Sequence, residues 1–224
     1  MNGELCGEKA ADMWVKEIWR YPVKSMAGEK LDAAEFTGAG VTGDRILQVR
    51  NAAGRIMTSR TRPLLLRHHA ALTPDNQVLV DGRPWTAPEV ARDVIEAAGP
   101  GTRLVKSDAE DRFDVLPLLI ATDGMLDTVG YDLRRFRPNL VIGGVPGLTE
   151  REWETARLRI GDVIIGMEEL RARCIMTTFD PDSGEQDLNV LRRIQKEFNG
   201  RLGLNSYVIV PGTIKIGDTV ELLP

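Results

Sequence analysis

Short extended runs closed by glycine, proline or Asx corners recur from Met13 to Leu223, and this punctuation narrows the fold more than any other feature of the chain. Met13-Trp14-Val15-Lys16-Glu17-Ile18-Trp19-Arg20-Tyr21 is rich in strand formers and stops at Pro22. Asp44–Arg50 and Arg55–Ser59 flank the turn Asn51-Ala52-Ala53-Gly54 as a hairpin. An Ile-Gly-Asp corner occurs at Ile160-Gly161-Asp162 and again at Ile216-Gly217-Asp218. Helix signals are confined to Pro88–Ala98, stopped by Gly99, to a short piece over Met125–Val129, and to Asn189–Phe198, stopped by Asn199-Gly200. Leu64–Leu72 fits either a strand or a short helix. The pattern predicts an α+β fold, predominantly β, and not alternating βαβ units.

The 224 residues suffice for one large domain or two small, closely joined ones. A net charge of -4 gives no support for a nucleic-acid surface or a polybasic membrane anchor, although mixed charges leave room for a local basic pocket. Cys6 and Cys174 are the only cysteines, which excludes a disulfide framework or a four-cysteine iron–sulfur site within the chain. No apolar run is long enough to insert in a membrane, and Met1–Ala11 lacks the basic start and apolar stretch of a targeting signal. These features predict a cytoplasmic protein with Cys6 in a leader. The glycine-rich bend Thr37–Gly43 lacks a GKS or GKT ending, and the adjacent His68-His69 pair has no third histidine for zinc.

Three stretches carry chemistry. Lys24 and Ser25 follow the first strand at a bend; the lysine is either a solvated charge or, with the serine hydroxyl, half of an anion site. Arg134-Arg135-Phe136-Arg137-Pro138-Asn139 runs into an apolar strand. Its proline keeps Arg137 out of the helical region, and an arginine fixed there serves phosphate recognition or salt pairing. Arg171-Ala172-Arg173-Cys174-Ile175-Met176-Thr177-Thr178-Phe179-Asp180-Pro181 sets the one central cysteine among arginines. Such a thiol is a nucleophile, a soft metal ligand, or a small hydrophobe in a strand. Thr122 either caps the short helix or donates its hydroxyl to a ligand.

Together, Tyr21-Pro22-Val23-Lys24-Ser25, Asp44-Arg45, Phe136-Arg137-Pro138-Asn139, Arg173-Cys174 through Asp180-Pro181, and Pro211–Asp218 resemble the MOSC superfamily. The likeness is to the branch that holds the mitochondrial amidoxime-reducing component and its bacterial relatives. It implies two closely joined β-barrel-like domains with peripheral helices, an N-terminal one over residues 13–110 and a MOSC barrel over 111–224. It also implies a molybdenum cofactor, molybdopterin-bound molybdenum, with Cys174 as the metal's thiolate ligand.

By the same resemblance Lys24, Ser25, Arg45 and Arg137 embrace the cofactor's phosphate-bearing side, with Arg60, Arg173 and Asn139 also at the cofactor. Asp180 stands as a second catalytic candidate beside Cys174. The implied reaction reduces a small N-hydroxylated substrate. A separate electron-donor protein, a flavin–iron–sulfur or haem protein, would supply the electrons, because the chain ends after the second barrel without cysteines for a fused ferredoxin. Leu119–Asp123 departs from the Ser-Glu-Ala-Ser of that branch. The alternatives are a sulfur carrier with a persulfide on Cys174, served by a pyridoxal-dependent sulfur donor, and a non-catalytic cofactor-binding module.

Overall fold

The computed structural model describes residues 12–108 and 112–224, and Cys6 lies outside them. Seven strands close into a ring: β1 (Met13–Arg20), β2 (Leu118–Thr122), β3 (Leu140–Gly143), β4 (Arg157–Ile160), β5 (Val163–Ala172), β6 (Arg201–Val210) and β7 (Thr219–Leu223). Around the ring the order is β3-β2-β6-β5-β4-β7-β1, and β1 returns to β3 with Trp14 opposite Gly143 and Ile18 opposite Leu140. Neighbours are antiparallel except β2 and β3. The closing strand thus comes from the start of the chain, and closure leaves no unpaired sheet edge in the ring. Alternation drives it: along β4, Leu158 and Ile160 are buried while Arg157 and Arg159 are exposed. Val15, Ile18, Ile120, Leu140, Ile142, Leu158, Ile160 and Ile165 fill the interior without measurable exposure. Each such side chain stabilises the fold by roughly 1.5–3 kcal/mol.

Outside the ring the first half makes small sheets. Leu47–Arg50 pairs with Ile56–Met57 and Arg103–Lys106, and Ala70–Leu72, Val78–Val80 and Arg83–Pro84 form another. They pack with α1 (Pro88–Ala98) around Val23, Leu47, Val49, Leu65, Val80, Val90 and Val94. The sequence led us to expect a second barrel here. Among the described residues these ladders close into no ring, because strands of two to four residues end at corners before they can reach round. The described residues thus form an α+β, mostly β structure with one clear closed barrel and peripheral helices. A third small sheet joins Ala33–Thr37 and Gly40–Val41 to Gly212–Lys215, tying the two halves of the chain together.

Two helices cover the barrel's flank. From α2 (Asp123–Val129) Met125 and Val129, and from α3 (Leu188–Phe198) Val190, Ile194 and Phe198, converge on Phe136 and Leu202. Thr122 caps α2: its hydroxyl oxygen accepts from the Met125 N–H at 3.1 Å and donates to buried Glu150 at 3.2 Å. The hydroxyl is therefore committed to the helix. Asn199 ends α3 in the left-handed conformation. The ambiguous Leu64–Leu72 resolves into a 3₁₀ turn, Pro63–Arg67, followed by a strand. Among the described residues no helix is long and apolar enough to cross a membrane.

Gly124 fixes how α2 sits. A methyl added there would meet the backbone of Val145 and lie 2.6 Å from both the N and O of Gly147. Backbone cannot yield as a side-chain tip does, so Gly124→Ala is expected to cost about 1–3 kcal/mol, read as a lower urea midpoint. Gly38→Ala, with open space around its new methyl, should change stability by less than about 0.5 kcal/mol.

Candidate functional site

The end of β5, the corner before β3, and two loops of the first half enclose a cavity of about 130 Å3. The cysteine stretch builds one wall. β5 ends at Ala172, Cys174 is extended, and Ile175–Thr178 turns as a 3₁₀ helix. The Thr177 hydroxyl donates to the Cys174 carbonyl at 2.9 Å and the Thr178 hydroxyl to the Ile175 carbonyl at 2.6 Å. The threonines thus hold the turn, and half-buried Cys174 lines the cavity. It is not a core residue of a strand.

A buried carboxylate braces the opposite wall from behind, through Arg45. Asp44, with no exposure, accepts from the Tyr21 N–H at 2.7 Å and the Asn139 amide at 3.2 Å, and pairs with Arg45. Arg45 and Arg137 stack on the ring of buried Tyr21, 5.0 and 4.2 Å from its centroid. Three residues lining the cavity, Ser25 (φ 73°), Arg45 (φ 50°) and Arg137 (φ 59°), hold left-handed backbone that side chains disfavour. Such conformations cost on the order of 1 kcal/mol each and persist where the surroundings over-determine them, which is common at ligand sites.

The cavity is strongly cationic. Among the described residues eight basic side chains line it against one carboxylate, Asp114. Burial pushes the Arg137 guanidinium down to about 10, with the Arg45 charge adding to the effect. Burial and the neighbouring Arg171 charge push Arg173 down to about 10 as well. Arg137 donates to the Met26 carbonyl and Arg173 to the Phe136 carbonyl, both at 2.7 Å, which satisfies hydrogen bonds but supplies no counter-charge. Arg173 Nε is buried without a partner. Burial works to lower Arg60, yet it ends above its ordinary value because it engages the Cys174 side chain and Asp114. Charges buried at such cost are relieved by an anion.

Of the residues singled out from the sequence, Lys24, Ser25, Arg45, Arg60, Arg137, Arg173 and Cys174 meet in this cavity. Asn139 sits one layer behind it, 1 % exposed, stitching β1 to β2 through the Trp19 carbonyl, the Leu119 N–H and Asp44. Asp180 is not among the lining residues. It accepts from the N–H groups of Asp182 and Ser183, which hold its carboxyl below the usual range, and pairs with Arg135 at 2.8 Å.

Sequence reading passed over Asp44 as a site residue, and with it Arg112, Phe113 and Asp114, which lie in a stretch that reads as a plain connection. Position beside Arg45 was the only signal for Asp44; the others gave none. A second cavity of about 170 Å3 adjoins the first through Arg135, Arg137 and Met176. The stacked rings of Trp19 and Tyr21 wall it, together with Leu66, Phe179 and Pro181.

Two family models account for most of the chain: the MOSC N-terminal beta barrel domain over residues 12–112 and the MOSC domain over 121–221. The chain belongs to the MOSC superfamily. Among curated MOSC relatives, the human mitochondrial amidoxime-reducing component 1 is 27 % identical, over 93 % of this chain and 82 % of its own. A molybdenum cofactor sulfurase of Bombyx mori is 34 % identical over 41 % of this chain and 11 % of its own. The solved YUAD protein of Bacillus subtilis covers 94 % of both chains at 15 % identity and a TM-score of 0.48. These relatives correct one expectation. The amidoxime-reducing components, at 24–28 % identity, are named as mitochondrial, so the cytoplasmic location read from the sequence is withdrawn. Composition carries no address.

Two measurements test this architecture. Asp44→Ala leaves the Tyr21 N–H and the Asn139 amide buried without this acceptor and the partly exposed Arg45 without its carboxylate, and should cost about 2–4 kcal/mol in urea unfolding. Asp114 offers a pH test. Burial acts to raise its carboxyl, but Lys24, Arg60 and Arg171 outweigh this and hold it below the ordinary value. With the folded value below the unfolded one, Asp114 contributes stability above an unfolded value of about 3.9, lost as pH falls through the folded value. Below about pH 4 the urea midpoint of wild type should therefore fall more steeply than that of Asp114→Asn.

Proposed function

We propose that this MOSC protein is a molybdenum-cofactor-dependent oxidoreductase that reduces small N-hydroxylated substrates, with electrons from a separate donor protein. One observation carries the reading: a half-buried thiol stands at the wall of a cavity where, among the described residues, eight basic side chains face one carboxylate and the buried guanidiniums of Arg137 and Arg173 make no direct ion pair. The residues present suit the group. Among the described residues no three His, Cys, Asp or Glu side chains converge, so a metal here needs donors besides Cys174, and molybdopterin brings its own sulfur donors. Lys24, Ser25, Arg45 and Arg137 would hold the phosphate-bearing side, and Arg60 and Arg173 the anionic surroundings of the thiolate. Unpartnered Arg173 Nε is a donor to spare for such a ligand. The amidoxime-reducing relatives support the reaction class by their names.

When bound, the cofactor would supply two-electron reduction, which with two protons converts N–OH to N–H and water. The chain's own part is to bind and orient. Left-handed Ser25, Arg45 and Arg137 aim their side chains before any ligand arrives, which lowers the ordering cost of binding. The cavity walled by Trp19, Tyr21 and Phe179 offers an apolar rest for the organic part of the substrate. Asp180, tied into its own turn and outside the cavity lining, is given no step in this reading. Residues 13–110 and 111–224 act in this reading as two cooperating halves, each supplying one wall.

Molybdenum and pterin content per chain, measured for wild type and Cys174→Ala from a host that makes the cofactor, tests the proposal. Near-stoichiometric molybdenum in wild type and its loss in the variant is the expected result. Wild type without either component but with labile sulfur on Cys174 would reject the reductase and establish a sulfur carrier.

A further inference from the structure

Asp114 stands apart in the cationic cavity. It lies in the connection between the strand Arg103–Lys106 and β2, yet its side chain reaches across the cavity wall. Its Oδ1 lies 3.1 Å from Lys24 Nζ, and its Oδ2 lies 2.6 Å from Arg60 Nη2 and 3.6 Å from Arg171 Nη2. The three cations come from three separate segments: the bend after β1, the turn after Ile56–Met57, and the end of β5. Arg60 lines the cavity together with Cys174, and Arg171 also donates to Asn205 at 3.2 Å. The carboxylate therefore occupies the space between the lysine on one wall and the thiol on the other. Any anionic group bridging those walls needs that space. The side chain is 31 % exposed, so it has a path to water when displaced.

We infer that Asp114 is the built-in counter-anion of the cavity, exchanged for the anionic group of the incoming ligand, and that it sets the charge a ligand must carry. The inference rests on the proposed function for the ligand's identity alone. A monoanion that replaces a carboxylate trades one charge for an equal one and gains little. A phosphate group carries about 1.5 to 2 charges at neutral pH and three strong acceptor oxygens, so it wins the exchange. The carboxylate meanwhile keeps three like charges from repelling one another while no ligand is bound. Selectivity thus comes from an internal competitor that only a more highly charged group displaces.

The test uses the full chain, purified from a host that cannot make the cofactor, with inorganic phosphate as probe. Binding is read by calorimetry and by the phosphate-dependent rise in melting temperature. Asp114→Asn removes the competitor while keeping its shape. We expect it to bind phosphate roughly tenfold or more tightly, about 1.4 kcal/mol in binding free energy, and to bind the monoanion nitrate, which wild type ignores. Glu221→Gln makes the same change in net charge on the barrel's exterior, where Glu221 pairs with Arg159, and should leave phosphate affinity at the wild-type value.

A variant that needs phosphate to fold supports the exchange, since the added anion then does the work of the carboxylate. A variant that no phosphate concentration folds, or a folded one with unchanged or weaker phosphate affinity, overturns it and makes Asp114 a strut for the three cations. Cofactor content separates this inference from the proposed function. Tighter phosphate binding in Asp114→Asn together with wild type that takes up no cofactor upholds the exchange and rejects the ligand assignment. Stoichiometric cofactor in wild type with no gain in phosphate affinity rejects the exchange alone.

Discussion

Asp44 joins three segments with one carboxylate. It receives the N–H of Tyr21 at the end of β1, the amide of Asn139 at the start of β3, and the guanidinium of Arg45. Asp44, Tyr21 and Asn139 are buried, and Arg45 is partly exposed. A buried carboxylate is costly unless its lone pairs are filled, and here each partner lies on a segment that also builds the cavity. Tyr21 is then the platform for two guanidiniums, and Arg137 lies on it from the corner that precedes β3. Satisfying Asp44 thus brings the first half of the chain against the barrel at the place where the cationic side chains gather.

The rest of the cavity shows the opposite balance. Arg137 and Arg173 are buried with carbonyl and ring partners but without a dedicated counter-charge, and the left-handed backbone at Ser25, Arg45 and Arg137 adds local strain. The barrel can bear this cost because its interior is continuous and closed, with Val15 and Ile18 of β1 facing Ile142 and Leu140 of β3 across the seam. Stability gathered in the barrel supports instability at its mouth. Local strain and unpaired charge concentrated at one place of an otherwise consistent fold are what the proposed anionic ligand would relieve.

Much of this was legible in the linear chain. Period-two burial in the strands, the Gly99 and Asn199 helix stops and the Asn51–Gly54 hairpin are local matters of backbone preference, and each appears where its residues direct. Seven of the residues singled out for the site converge in one cavity; Arg137 precedes a proline, Arg45 follows the Gly43 corner and Arg173 precedes the cysteine, whereas Arg60 carries no such local mark. Asn139 and Asp180 show the limit of such reading. Both are polar residues next to informative neighbours, but one is spent on joining strands and the other on closing its own turn.

Other features belong to the tertiary structure alone. Whether the first half closes a barrel depends on strand length measured against the distance around a ring, which no local pattern contains; among the described residues its short strands form small sheets. Asp114 has no motif, and its meeting with Lys24, Arg60 and Arg171 exists only because three distant segments are brought within the reach of one carboxylate. The sequence determined the strand-rich fold, its corners and the chemistry of its cysteine stretch, because these follow from side-chain periodicity and backbone freedom over a few residues. Tertiary structure decided which strands close the ring and which charges oppose one another, because both depend on distances between segments that the order of residues leaves open.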